Sequence, residues 1–171
     1  MIESVIRAVL SNFPLVCLGI ALIVAAVRIA RGARGAPLIV AREVAFYALG
    51  LAGLWGFVFH VFMPQLASSA IGWQPSGFET EVGFANLALA VPGLMCPWQP
   101  RAFLLAVAVA ATCFLGGAAA NHVYEIVTAH NLAPGNAGTI LWTDVAIPLL
   151  VLVPTLVAGD DDAVRRRRYP L

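Results

Sequence analysis

At 171 residues the chain has the length of one domain, and 61% apolar against 11% charged side chains, with a mean hydropathy of +0.89, exclude an ordinary water-soluble domain. The net charge is +1 and all ten basic residues are arginines grouped at a few places, which excludes a broad basic surface for nucleic acid. The three cysteines, Cys17, Cys96 and Cys113, offer neither an even disulfide set nor a metal-knuckle spacing, and read as packing residues.

In lipid every backbone polar group must be bonded internally, so the spanning elements are helices or a closed barrel. Long unbroken apolar runs such as Phe103 to Gly117 lack the alternation of barrel strands and predict helices. The first span is expected over 10 to 29. Arg7 precedes it, but Arg28, Arg31 and Arg34 follow it and no small-x-small site ends it, so it reads as a retained helix rather than a signal peptide.

The second span, 41 to 63, begins beside Arg42 and Glu43, carries Gly50, Gly53 and Gly56 as a close-packing face, and ends near His60. A connection through Ile71 to Phe78 follows, read as a lid that Trp73 and Phe78 would close. Within it Ser76 stands three residues before Glu79, the spacing of a capping box. The third span, 81 to 97, starts at Glu81, holds Gly83 and Asn86, and is interrupted by Pro92 and Gly93. The fourth, 102 to 128, carries Gly116, Gly117 and Ala120 as a second small-residue face, then Asn121, His122 and Glu125. His130 to Gly138 is turn-rich, with Gly135 and Gly138 able to take positive φ, and leads into a fifth span, 139 to 159, with Thr143 and Asp144 in its first turns.

The fold class is therefore an all-α membrane protein, a bundle of five transmembrane helices over residues 1–159, followed by a charged cytoplasmic tail, 160–171. The alternative is four spans with a short re-entrant third segment. Positive residues near helix ends stay on the cytoplasmic side, and Arg28, Arg31, Arg34, Arg42, Arg101 and Arg165 to Arg168 share one side only when five helices cross. The N-terminus is then outside and the C-terminus inside, in a bacterial inner membrane.

This orientation gathers the polar residues into one outer layer. His60, Glu81, His122, Glu125 and Asp144 are its candidate metal ligands, because imidazole and carboxylate from neighbouring helices are what a bundle uses to hold a divalent metal ion. Asn86, Asn121, His130 and Asn136 are the candidate contacts to a bound small ligand. A buried ionisable group costs about 2.5 to 3.5 kcal/mol on insertion scales, so such groups face a ligand, water or one another. Three readings stay open: a site for a metal or small ligand, a non-catalytic accessory subunit in which these residues join helices, and a membrane-embedded hydrolase or isomerase. The last has acid and base candidates but no nucleophile motif. The partners implied are the lipid bilayer and other membrane proteins or a second copy, with no nucleic acid.

Gly72-Trp73-Gln74-Pro75-Ser76 running into Phe78 and Glu81 to Asn86, then Asn121-His122-Val123-Tyr124-Glu125, then Asn131 to Gly138 with Asp144 beyond, together resemble an uncharacterised family of small bacterial membrane proteins, a domain of unknown function. The resemblance spans roughly residues 40 to 155. It implies an intact membrane domain and supplies no reaction, cofactor or catalytic residue.

Overall fold

A computed structural model describes residues 12–158, and all of its regular elements are helical. Arg7 and the charged tail from Asp160 to Arg168 lie outside the described residues. Helix α1 is Phe13–Ala30, entered through Pro14 at its first turn, where a missing N–H costs nothing. Gly32 and Gly35, both at positive φ, turn the chain into α2, Ala36–Phe62. A short helix α3, Pro64–Ile71, follows where the sequence reads as the end of a span and a loop, and Gly72 closes it in the left-handed conformation. Then come α4, Phe78–Met95, with a 3-10 turn at Cys96–Trp98, and α5, Arg101–Ala129. The turn-rich connection winds into α6, Pro134–Ala137, and α7, Thr139–Val157, completes the bundle.

Four of these stretches, Phe13–Ala30, Ala36–Phe62, Arg101–Ala129 and Pro134–Val157, are long and apolar enough to cross a membrane. The chain is an integral membrane protein. Helix α4 has 18 residues but opens with Glu79 and Glu81 and carries Asn86, which sets it apart from the other four.

The glycines of α2 explain how α4 is seated. A Cβ at Gly50 would fall 2.7 Å from Leu94, at Gly53 3.0 Å from Ala90, and at Gly56 2.8 Å from Asn86. On α4, a Cβ at Gly83 would fall 2.5 Å from Val61. The partners run in opposite directions along the two helices, so α4 lies antiparallel against the second half of α2 with backbones in close approach. Residues Ala45–Leu51 of α2 form a π-helical turn, and Gly93 packs on it, where a Cβ would sit 2.9 Å from the Ala45 carbonyl.

The core joins Leu104, Ala108 and Ala111 of α5 to Ile147 and Val151 of α7, Leu38 and Val44 of α2, and Leu18 and Ala21 of α1. One end of the bundle is tied by arginines. Arg28 pairs with Glu43, Arg42 donates to the Gln99 carbonyl at 3.3 Å, and Arg101 donates to the carbonyls of Thr155 and Leu156 at 2.8 and 3.1 Å. Those last carbonyls are the ones a helix leaves without donors at its C-terminus, so a cation there is doubly satisfied.

Candidate functional site

The other end gathers most of the buried polar side chains, Glu43 and Thr155 lying at the arginine end. His122 on α5 and Asp144 on α7 face each other, Nε2 to Oδ2, at 3.6 Å, and both are at least nine-tenths buried. Asn136 of α6, with no exposed surface, holds the other side of the imidazole, its Oδ1 2.7 Å from Nδ1. The Asn136 amide nitrogen donates to the carbonyls of Asn131 at 2.9 Å and His122 at 3.3 Å. Since both amide N–H groups point at carbonyls, Oδ1 is the acceptor and His122 Nδ1 is the donor. The connection does this because Pro134 starts a single helical turn and Asn131 folds the chain just before it, its Oδ1 accepting from the Ala133 N–H at 3.1 Å. Asn131 also donates to the Ile71 carbonyl at 2.9 Å, and a Cβ at Gly135 would lie 2.6 Å from the Ala70 carbonyl, so α3 is clamped onto α6.

Asp144 also lines a cavity of about 60 Å³ between α1, α2, α4, α5 and α7. Water occupies roughly 30 Å³ in the liquid, so the space matches about two water molecules. Apart from Asp144, its one polar lining side chain is Asn86, among Pro14, Ala48, Gly53, Leu89, Leu115 and other apolar residues. Asn86 donates from Nδ2 to the Val82 carbonyl at 2.9 Å, and its Oδ1 packs against Gly56 of α2. Pro148, four residues after Asp144, has no N–H for the Asp144 carbonyl, so the helical ladder is interrupted beside the cavity.

A second buried carboxylate, Glu79, sits at the start of α4. It accepts from Ser68 of α3 at 2.5 Å and from the Ser76 N–H and hydroxyl at 3.0 Å each. The Ser76 to Glu79 part is the expected capping box; Ser68 carries no sequence signal, since nothing in Ser68-Ser69 tells which serine turns inward. His60 lies within electrostatic reach of Glu79, and its buried Nδ1 has no hydrogen-bond partner.

Of the residues expected at the site, the structure brings together His122, Asp144 and Asn136, and sets Asn86 on the same cavity as Asp144. Glu81, Asn121 and His130 are exposed, Glu125 is half-buried, and His60 belongs with Glu79. Among the described residues no three His, Cys, Asp or Glu side chains converge as metal ligands. Helical geometry separates Asn121 from His122, because successive residues diverge by about 100° and only one can face α7. Other expectations change as well. Trp73 and Phe78 are exposed and close no lid, while α3 docks on α6. Gly135 and Gly138 are not at positive φ, Gly116 and Gly117 have nothing within 4 Å of a Cβ, and Cys113 is exposed while Cys17 and Cys96 are packed.

No curated protein and no solved structure matches the chain. A family model does: residues 11–162 match DUF6790, described as a family of unknown function. With nearly the whole bundle covered, including every residue that builds the site, the chain belongs to the DUF6790 family.

Proposed function

We propose that this is a five-span protein of a bacterial inner membrane, N-terminus outside and C-terminus cytoplasmic, whose outer half holds a pocket for a small polar ligand or ion. The observation that carries the reading is the cavity bordered by the buried Asp144 and by Asn86, with His122 paired to Asp144. A carboxyl at membrane depth is costly without a counter-charge, a ligand or water. Crossing by α4 is supported by its antiparallel fit along α2 and by the Arg42 bond to Gln99, which brings the end of α4 back to the arginine end. Aromatic side chains exposed at the two ends, Tyr124 and Trp142 against Trp98, suit headgroup belts.

The test is thermal unfolding of the purified protein in detergent with ions and neutral solutes small enough for the cavity. Wild type is expected to be stabilised by at least one of them and Asp144→Asn by none. Equal unfolding curves for both proteins in every solute would contradict the pocket. Elemental analysis belongs with this test, since a stoichiometric divalent metal would restore the metal reading with ligands beyond His122 and Asp144. The accessory-subunit reading draws on one observation, the lipid-facing side of α5 where Asn121 is exposed near Gly117 and Cys113. A mass in detergent above that of one chain would favour it.

A further inference from the structure

The orientation of Asn136 fixes where the protons of the site can be. Its two amide N–H groups are committed to the Asn131 and His122 carbonyls, so His122 Nδ1 carries a proton in every state of the ring. The neutral imidazole then presents a bare Nε2 lone pair to Asp144 Oδ2, 3.6 Å away. Two acceptors facing each other, with the aspartate ionised, leave one uncompensated negative charge in a buried setting. Among the described residues the cavity lining holds no second ionisable side chain, and the pair makes no other ion pair. Neutrality requires one proton on the pair, as imidazolium with carboxylate or as imidazole with carboxylic acid.

From this geometry we infer that the pocket takes up a monovalent inorganic cation in exchange for that proton. The inference rests on the pocket proposed above and names its ligand class. When the pair loses its proton, Asp144 keeps a negative charge facing a space the size of about two water molecules. Asn86 is the other polar side chain bordering that space. One cation of charge +1 restores neutrality. A divalent ion would leave an excess positive charge with one carboxylate to meet it, and an organic ammonium such as choline is too large. The balance is one proton out and one monovalent cation in, with no change in the charge of the site.

The experiment uses the intact chain in weakly buffered detergent, with sodium, potassium and ammonium chloride as separate probes and choline chloride as the size control. At saturation at least one small cation is expected to release about one proton per chain, and choline none. Asp144→Asn is expected to release none. Should that variant not fold, the wild type alone decides: a one-for-one exchange requires the half-saturating cation concentration to fall about tenfold for each pH unit while the pair is protonated. Stabilisation by a small cation without proton release would overturn the exchange and leave the pocket standing. Neither release nor stabilisation with any of the three salts would overturn the exchange, and the pocket would fall with it only if the neutral solutes also left both unfolding curves equal. Equal release with choline would also overturn the exchange, since the effect would then come from ionic strength.

Discussion

Asn136 holds more of the site than its neighbours. Its side chain links α6 to the ring of His122 and to two backbone carbonyls, all without solvent. Removing it leaves the buried ring N–H without an acceptor and takes a donor from the Asn131 and His122 carbonyls, and a buried polar group without its partner costs about 1–3 kcal/mol. Asn136→Ala is therefore expected to lower stability by about 2 kcal/mol or more, read as a lower unfolding midpoint in detergent. Asn121→Ala, at an exposed position one residue from His122, is expected to change stability little. Equal losses at Asn136 and Asn121 would mean that the hub is wrongly placed. The residue types of the site were legible in the sequence, because His122, Asn136 and Asp144 are polar groups set in or beside apolar runs. Their partners were not. A spacing of three or four residues allowed His122, Asn121 and Glu125 a common direction, but only the packing of α5 on α7 decides that His122 is the one turned inward.

At the scale of elements, close approach of backbones distinguishes one glycine face from another. Gly53 meets Ala90 and the Asn86 carbonyl, whereas Gly117 meets nothing. Overpacking a tight contact costs about 1–3 kcal/mol, so Gly53→Leu is expected to destabilise by that order while Gly117→Leu changes little in the monomer. Thermal unfolding of the two variants side by side checks the contrast, and a larger loss at Gly117 would point to a helix contact that the single chain does not contain. The sequence shows small residues on both α2 and α5 and does not tell which face has a partner. Span boundaries were read within a few residues, since hydrophobic runs carry that signal. Two local structures were not legible. Helix α3 is too short and mixed for a periodic pattern, and the turn-rich residues 133–138 form one helical turn because Pro134 pre-sets its start and Asn131 holds the Ala133 N–H before it.

For the whole molecule, everything turns on whether α4 crosses. If it does, the starts of α1, α4 and α7 share the polar end, as the Thr139 bond to Asn12 at 2.6 Å joins two of them, and the arginines share the other. Arginine placement is what suggests this polarity from sequence, whereas the polar opening turns of α4 set that helix apart from the four that hydropathy alone marks as long and apolar enough to cross. Accessibility of single cysteines to a membrane-impermeant thiol reagent decides it, in a background where Cys113 is replaced by alanine and with Ala33→Cys, Ser69→Cys and Trp98→Cys made one at a time. All three positions are exposed. The five-span account predicts that Ser69→Cys reacts in intact cells, while Ala33→Cys and Trp98→Cys react only after the membrane is opened. Labelling of Trp98→Cys from outside, with Ala33→Cys still protected, would contradict it and leave four spans with a re-entrant third segment.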